Sequence, residues 1–312
     1  MYSHVPVLLA EVLDQLNPRP AGRYLDGTLG LGGHSRAILE RCNGRAQLLG
    51  IDRDAEALEL ARANLADFAD NVVLRQGLYS RFDEYLDELG WTDLDGALID
   101  IGVSSLQLDA GERGFSFAHD GPLDMRMSAQ PGTPSAKDLV NTADAQALRG
   151  IIAELGEDPQ AGRIAAAIVE ARRAAVIETT GQLARIVEAA YPAKWRATAR
   201  NHPATRTFQA LRMAVNDELG ELEAFLRKIP QRLKVGGRVA VLTFHSLEDR
   251  LVKRAFREGA ETCVCPPHVL QCACGHRAVY RILTRKPVTA GAEELKRNSR
   301  AGSAKLRVAE RI

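Results

Sequence analysis

Short apolar runs alternate with amphipathic segments along the first third of the chain. The runs have the length of buried strands, and the apolar positions between them recur with helical spacing. The expected strands are 23–25, 47–52, 71–76 and a run that begins at Ala97, with helices at 55–68 and 82–89. Strands that alternate with helices in this way predict βαβ units, and hence an α/β fold with a mostly parallel sheet.

The alternation stops near Gln107 and returns near Thr205. Residues 107–130 are rich in Gly, Asp, Ser and Met, which predicts a long ordered loop close to a site, and residues 135–192 predict helices only. The later α/β pattern consists of a helix at 205–227, a strand at 238–244, a helix that Ser246 caps with Asp249, and a strand at 277–284. We therefore divide the chain into 1–106, an inserted and mostly helical part at 107–204, and 205–312.

Composition changes this picture little. The chain has 312 residues, of which 46% are hydrophobic and 26% are charged, and its formal net charge of +1 names no partner. It contains no run of about 20 apolar residues of the kind that spans a membrane. The first residues do not resemble a signal peptide, and four of the five cysteines are clustered rather than spread as a disulfide framework. We therefore expect a cytoplasmic protein.

The loop after the first strand carries candidate chemistry. Four glycines lie between Gly27 and Gly33, and a helix begins near His34. A strand, a glycine-rich loop and a helix in this order present backbone N–H groups to a nucleotide-like ligand. The loop lacks the lysine of a P-loop and does not fit G-x-G-x-x-G cleanly. A tight turn between strand and helix, without a ligand, is the alternative interpretation.

Three predicted strands end in an acid, namely Asp26, Asp52 and Asp100. The carboxyl ends of the strands form the ligand-binding edge of an open α/β sheet. Asp52 lies about 20 residues after Gly32, where an acid commonly accepts hydrogen bonds from ribose hydroxyls. Tyr79 follows the third strand, where its ring could either stack on an adenine or belong to the core. These residues together favour a cofactor that contains adenosine.

A basic stretch follows the helical part of the chain. Its members are Lys194, Arg196, Arg200, Arg206 and Arg212, with Trp195 and His202 among them. No acid occurs between Glu188 and Asp217, and the tail at 293–312 is basic as well. Such a stretch is either a solvated helix face or a surface that contacts RNA. The sequence leaves both interpretations open.

The late cysteines raise the question of a metal site. They form two C-x-C pairs, and two histidines lie near them: Cys263 with Cys265, Cys272 with Cys274, His268 and His276. Structural zinc sites usually use C-x-x-C pairs. Because C-x-C fits that spacing less well, we expect a loop of packed thiols and no bound metal.

Five motifs together resemble the bacterial RsmH (MraW) family; they lie at 26–35, 100–105, 121–127, 243–250 and 304–311. The resemblance covers nearly the whole chain. It implies a class I S-adenosylmethionine-dependent methyltransferase of Rossmann-like fold, in which the inserted helical part recognises the substrate. It also implies methyl transfer to the exocyclic N4 amine of a cytidine in the decoding centre of 16S ribosomal RNA. The implied partner is therefore this RNA within the small ribosomal subunit, and a homodimer remains open.

The resemblance also implies roles for individual residues. The family's cofactor contacts fall on Gly32, Gly33, His34, Asp52, Tyr79, Asp100 and Gln107. In amino-methylating enzymes of this fold, the loop after the fourth strand accepts a hydrogen bond from the reacting amine. Asp100 is therefore the first catalytic candidate, and Asp124 is the second. An NAD-dependent dehydrogenase and a non-catalytic RNA-binding protein are the rival interpretations.

Overall fold

The computed structural model describes residues 6–102, 107, 110–128, 132–198, 201–263, 265 and 274–312, without the side chains of 197, 198, 299 and 300. The chain divides into two compact units, one formed by 1–102 with 220–312 and the other by 103–219. The sequence placed the return to the first unit at residue 205. The helix Ala204–Asn216 instead packs against other helices of the second unit, so the return comes later.

The first unit is built on a seven-stranded sheet with strand order β3-β2-β1-β4-β5-β7-β6. Strands β1 to β5 pair in parallel, and β7 is antiparallel to both of its neighbours. This mostly parallel sheet with helices confirms the predicted α/β, Rossmann-like class. The strands are β1 Arg23–Asp26, β2 Gln47–Asp52, β3 Val72–Gln76, β4 Leu94–Asp100, β5 Leu233–Thr243, β6 Tyr280–Ile282 and β7 Lys305–Arg311.

Both faces of the sheet are covered. In β4, Ala97 and Ile99 belong to one hydrophobic cluster while Leu98 belongs to another, and in β5 Val241 and Leu242 divide in the same way. Successive side chains of a strand point to opposite faces, so the two clusters lie on opposite faces of the sheet. Strands that are buried on both sides read as continuous apolar runs, which is why they stand out in the sequence.

The helices in chain order are α1 Leu9–Leu16, α2 Gly33–Arg41, α3 Ala55–Asn64, α4 Phe82–Glu88, α5 Ala136–Thr142, α6 Ala145–Glu154, α7 Ala161–Ala174, α8 Thr180–Ala190, α9 Ala193–Thr198, α10 Ala204–Asn216, α11 Glu218–Lys228, α12 Ser246–Ala260 and α13 Ala292–Arg297. The helix predicted at 55–68 ends at Asn64 and is followed by a 3₁₀ segment, Ala66–Asn71. Among the described residues, no helix is long and apolar enough to cross a membrane.

The helix predicted at 205–227 is two helices. Asp217 adopts a left-handed conformation with φ of 48°, which ends α10 before α11 begins. The preceding Asn216 donates a hydrogen bond to the carbonyl of Met125 at 2.8 Å and accepts one from the amide of Met127 at 2.8 Å. Asn216 therefore ties the end of α10 to the described loop at 110–128, an ordered loop within the second unit.

The basic tail forms a strand that the sequence did not predict. β7 lies between β5 and β6, and Leu306, Val308 and Ala309 are fully buried. Charged residues alternate with these apolar ones. One of them, Arg307, donates a hydrogen bond to the carboxylate of Asp249 at 2.6 Å within the same unit. The strand predicted at 277–284 is shorter than expected and covers only Tyr280–Ile282.

Candidate active site at the carboxyl ends of the central strands

Three acids end adjacent strands in the middle of the sheet. Asp52 ends β2, Asp26 ends β1 and Asp100 ends β4, and these strands are neighbours in the order β2-β1-β4. The sequence prediction that the acids end three strands is confirmed. Because the strands are parallel, the three carboxylates share one edge of the sheet, the edge at which open α/β sheets bind ligands.

The glycine loop at 27–33 is fastened to both neighbouring strands. The amide of Gly27 donates to Leu98 of β4 at 3.0 Å, and the amide of Leu29 donates to Ile51 of β2 at 2.9 Å. The hydroxyl of Thr28 accepts the amide N–H of Asp100 at 2.6 Å. The loop is therefore a fixed part of the sheet edge rather than a loose turn.

Two glycines shape the start of α2. Gly32, directly before the helix, has φ of 78°, a left-handed conformation that side-chain-bearing residues rarely adopt. A Cβ on Gly33 would lie 2.5 Å from Cγ of Pro6, so close approach excludes a side chain there. The first turn of α2 consequently begins directly at the carboxyl end of β1, where its amides and helix dipole favour a polar or anionic group.

Asp26 anchors the loop from inside. Its side chain is 1% exposed and accepts hydrogen bonds from the Ser35 hydroxyl at 2.6 Å and from the amide of Thr28 at 3.3 Å. Burial raises the pKa of Asp26 to about 6, although the hydrogen bond from Ser35 opposes this rise. Asp26 thus joins the end of β1 to the start of α2, a structural role that its position in the sequence did not reveal.

Asp52 holds two backbone amides. One carboxylate oxygen accepts the N–H of Gly30 at 2.7 Å, and the other accepts the N–H of Asp54 at 2.9 Å. Burial raises the pKa of this carboxyl above its ordinary value, against the effect of these hydrogen bonds. Each carboxylate oxygen has a second lone pair, so Asp52 retains the capacity to accept further bonds from a ligand. Asp54 caps α3 by accepting the amide of Glu56 at 3.1 Å, as predicted.

His34 and Asp100 form the third part of the site. The Nε2 atom of His34 lies 3.6 Å from a carboxylate oxygen of Asp100, which is longer than a hydrogen bond. His34 is buried, and neither imidazole nitrogen has a hydrogen-bond partner in the described part of the chain. A buried polar side chain normally has a partner, so these atoms mark a place where a ligand group would fit.

Tyr79 lies beside the loop but belongs largely to the core. Its Cβ is 2.9 Å from where a Cβ on Gly27 would stand, and its ring meets that of Phe225 edge-on with centroids 5.8 Å apart. The side chain is buried in one of the two hydrophobic clusters of the first unit. Of the two interpretations of Tyr79, the core contact is observed, and stacking on an adenine remains a prediction.

Two of the predicted site residues lie in the second unit. Gln107 is buried there. Asp124 is held by Arg126, whose guanidinium bonds both carboxylate oxygens at 2.7 and 2.8 Å. This pairing lowers the pKa of Asp124, and with the amide of Arg126 it supplies three hydrogen bonds to the carboxylate. Of the loop after Asp100, residues 103–106 lie outside the described residues.

The basic stretch divides into paired and exposed residues. Arg212 forms a largely buried, two-bonded pair with Glu218, and Arg206 donates to the carbonyl of Glu157 at 2.9 Å. These two arginines therefore stabilise the second unit. Arg196 is exposed, as is the neighbouring Trp195 at 47%. Arg200 lies outside the described residues.

The cap of α12 differs from the prediction. His245, rather than Ser246, is the N-cap, and Glu248, rather than Asp249, completes the capping box. Glu248 is fully buried and accepts the amide of Phe244 at 2.9 Å, and its other oxygen lies 2.8 Å from Nε2 of His245. This pair follows β5 at the same edge of the sheet. The sequence shows the junction between strand and helix, and therefore the approximate position of the cap. The S-x-x-D pattern that starts at Ser246 is a regular capping box, and it shifts the predicted N-cap by one residue.

The residues present fit an adenosine-containing cofactor. Three observations support this fit. The imidazole nitrogens of the buried His34 have no hydrogen-bond partner among the described residues, and Asp52 retains capacity to accept further hydrogen bonds. At Gly30, an added Cβ would meet no atom within 4 Å. Open space at Gly30 beside a carboxylate at the end of β2 is what a bound ribose requires. The alternative of a turn without a ligand leaves the buried imidazole unexplained.

Comparison with known proteins gives the family. The model of the MraW methylase family matches residues 1–312. The chain is 64% identical over 310 residues to "Ribosomal RNA small subunit methyltransferase H" of Oleidesulfovibrio alaskensis, covering 99% of this chain and 95% of the relative. It is 52% identical over 309 residues to the protein of the same name from Lawsonia intracellularis, covering 99% of each. A solved structure of a SAM-dependent O-methyltransferase from Thermotoga maritima aligns with a TM-score of 0.43 and 10% identity, covering 100% of this chain and 68% of that one.

The family match extends over the whole chain, and the identities to the relatives exceed half of the aligned positions. The similarity therefore includes the residues of the glycine loop and the acids at the sheet edge, and is not confined to one part of the chain. The chain belongs to the MraW methylase family, and its cofactor is S-adenosylmethionine.

Proposed function

We propose that this methyltransferase acts on the exocyclic N4 amine of a cytidine in the decoding centre of 16S ribosomal RNA. The observation that carries the proposal is the 64% identity, over 99% of the chain, to a relative named as a ribosomal RNA small subunit methyltransferase. The motifs at 100–105 and 243–250 support the choice of target, since they resemble a family that modifies this amine. The dehydrogenase interpretation is wrong, because the chain belongs to a methylase family.

The proposed cofactor contacts are Gly32, Gly33, His34, Asp52, Tyr79, Asp100 and Gln107. S-adenosylmethionine supplies an activated methyl group carried on a positively charged sulfur. Asp52 is proposed to accept hydrogen bonds from the ribose hydroxyls, which its remaining lone pairs allow. The amides of the first turn of α2 and the imidazole of His34 are proposed to bind its polar groups.

The chemistry demanded of the protein is mainly positioning. The N4 amine of cytosine is a poor nucleophile because its lone pair is delocalised into the ring. The base must leave its stack to be reached, so the protein must hold it in a pocket. The amine must also be aligned for attack, and alignment of bound groups is among the largest contributions that a protein makes. An acceptor that takes a hydrogen bond and then a proton from the amine completes the requirement.

Asp100 is the proposed acceptor. Its side chain is 26% exposed, one of its carboxylate oxygens lies 3.6 Å from Nε2 of the buried His34, and it ends a central strand beside the glycine loop. Asp124 is the weaker candidate, since its carboxylate is ion-paired with Arg126 and already accepts three hydrogen bonds from that residue. An acceptor must have a lone pair to offer to the amine, and Asp100 satisfies this requirement better.

The second unit is proposed to recognise RNA within the small ribosomal subunit. Its exposed Arg196 and Trp195 supply a phosphate contact and an aromatic surface of the kind that RNA-binding proteins use. We place the protein in the cytoplasm, where its substrate is assembled. Whether it acts as a homodimer is to be measured by its mass in solution.

The function is tested by methyl transfer from labelled S-adenosylmethionine. Small subunits and deproteinised 16S ribosomal RNA are each incubated with the protein, and the RNA is digested to nucleosides for mass spectrometry. The expected product is N4-methylcytidine at one position, with the subunit labelled more than the free RNA. Label in another nucleoside, or transfer to neither substrate, contradicts the proposal.

The role of Asp100 is tested with Asp100→Ala. We expect loss of most activity in single turnovers at saturating S-adenosylmethionine, because the acceptor is then missing whatever the cofactor affinity. Asp95→Ala is the matched control, since Asp95 belongs to the same strand but bonds the amide of Arg23. If the Asp100 variant matches the wild-type rate at saturation, Asp100 serves cofactor binding only.

A further inference from the structure

The segment at 261–279 joins α12 to β6. A backbone bond holds it at its base, where the amide of Val279 donates to the carbonyl of Gly259 at 2.7 Å. The printed sequence of this segment has few large apolar residues and four of the five cysteines of the chain. Small segments with few large apolar residues often depend on a metal ion or a disulfide for their stability.

Three cysteines of this segment converge. The sulfur atoms of Cys263, Cys265 and Cys274 all lie within 4.8 Å of one another, and those of Cys263 and Cys274 are 3.9 Å apart. With zinc–sulfur bonds of about 2.3 Å, tetrahedral geometry places two thiolates about 3.8 Å apart. The observed spacing therefore matches two ligands of one ion, whereas a disulfide requires about 2.05 Å.

The C-x-C spacing does not prevent chelation. The sulfur atoms of Cys263 and Cys265 lie within 4.8 Å of each other, so both can bind one ion. The amide of Cys265 also donates to the sulfur of Cys263 at 3.4 Å. An N–H directed at sulfur stabilises a thiolate, which is the form that binds a metal.

We propose that Cys263, Cys265 and Cys274 bind a zinc ion that staples the segment between α12 and β6. Soft thiolate ligands select zinc over the harder cations, and three of them leave one position for a water or another donor. Binding releases the thiol protons to solvent as the thiolates form. His268 and Cys272 lie outside the described residues and are not assigned to the site.

The proposed ion is structural. It links Cys263, close after α12, to Cys274, close before β6, and so ties the two ends of this connection together in addition to the backbone bond at its base. This proposal replaces the expectation from the sequence that the cysteines bind no metal. The expectation that methyl transfer needs no metal is unchanged, because the donor already carries an activated methyl group.

Metal analysis tests the proposal. The protein is produced in zinc-supplemented medium, purified without chelator and measured by mass spectrometry of the metal together with a titration of free thiols. We expect about one zinc ion per chain, and less than about a tenth of that in Cys263→Ser with Cys274→Ser. Cys42→Ala is the matched control, because Cys42 is buried in the first unit away from this segment, and it should keep its zinc.

Cobalt substitution of the wild-type protein keeps the proposal testable if the double variant does not fold. Cobalt(II) bound by three thiolates in tetrahedral geometry gives intense sulfur-to-metal charge-transfer absorption and visible bands. Wild-type protein that binds neither zinc nor cobalt overturns the proposal. So does a disulfide between Cys263 and Cys274, or zinc retained at the wild-type level in the double variant.

Discussion

The proposed ribose contact of Asp52 can be separated by experiment from its contact with the loop. The carboxylate bonds the amides of Gly30 and Asp54 within the protein, so Asp52→Ala removes two internal bonds as well as any bond to a ligand. Loss of affinity in this variant alone would therefore not identify the contact. A cycle that changes the protein and the ligand together isolates the interaction between them.

The expected magnitude follows from the charge on Asp52. A hydrogen bond to a charged group contributes about 1.5–3 kcal/mol, so two ribose hydroxyls contribute about 3–6 kcal/mol. Each 1.4 kcal/mol is about a factor of ten in the dissociation constant. Removing both hydroxyls from the ligand should therefore weaken binding to the wild-type protein by well over tenfold. In Asp52→Ala, the same change to the ligand should have little effect.

Calorimetry with S-adenosylhomocysteine and its 2′,3′-dideoxy analogue supplies the four affinities. Unfolding of each protein without ligand is measured beside them, since leaving the amides of Gly30 and Asp54 without an acceptor should cost about 1–3 kcal/mol each where they are buried. Asp95→Ala again serves as control, because it removes one internal acceptor of a backbone amide at the other end of the strands. Asp95→Ala should lower the free energy of unfolding, but it should leave unchanged the factor by which removal of the ribose hydroxyls weakens ligand binding.

The reasoning fails if the wild-type protein and Asp52→Ala lose the same factor when the hydroxyls are removed. The carboxylate would then serve only the loop, through Gly30 and Asp54. If the wild-type protein does not distinguish the two ligands at all, the ribose lies elsewhere. Either result would also weaken the assignment of the sheet edge to adenosine, because Asp52 is the residue that points to it.

Three further predictions concern pH, salt and metal. The pKa of Asp26 is raised to about 6 from an ordinary 3.8. Between about pH 4 and pH 6 the native state therefore keeps a proton on Asp26 that the unfolded chain releases. The contribution of this group to the free energy of unfolding thus falls as the pH rises through that range. Denaturant unfolding should show Asp26→Asn gaining up to about 3 kcal/mol on the wild type across that window, and parallel profiles would refute the raised pKa. Lys194→Ala with Arg196→Ala should reduce the log–log salt slope of RNA binding by about 1.4–1.8, while the exposed, paired Arg173→Ala should not. An unchanged slope would make the stretch a solvated face. Chelator that strips the proposed zinc should leave methyl transfer measurable, and complete loss of activity would give the metal a part in catalysis.

Much of the first unit could be predicted because its strands are buried on both faces. The apolar pattern predicts the bounds of β2 to the residue and puts Asp26, Asp52 and Asp100 at strand ends, where the structure has them. β7 is not predicted from the sequence, because Lys305 and Arg307 interrupt its apolar residues and make the tail look like a basic, exposed segment. Both residues pair with Asp249, a partner more than fifty residues away that no local pattern reveals.

The capping error at α12 has the same origin. The sequence offers Ser246 with Asp249, a regular capping pattern. Asp249 is drawn instead to Arg307, which together with Lys305 holds its pKa below the ordinary value although burial alone would raise it. His245 and the buried Glu248 form the cap in its place. A local motif therefore gave way to a tertiary ion pair, which local propensity cannot foresee.

The three acids at the sheet edge show why position does not settle role. Asp26 is 1% exposed and bonded by Ser35 and Thr28, so its oxygens serve the fold. Asp52 accepts the amides of Gly30 and Asp54, one on each oxygen, and the proposed ribose contact would use its remaining acceptor capacity. Asp100 is tied to the loop through its amide rather than its carboxylate, which is 26% exposed and faces His34. A group that must bind a substrate amine and then release it needs a carboxylate without internal hydrogen bonds on a fixed backbone. Within the described part of the chain, Asp100 meets that requirement better than Asp26 or Asp52, which is why it is the proposed acceptor.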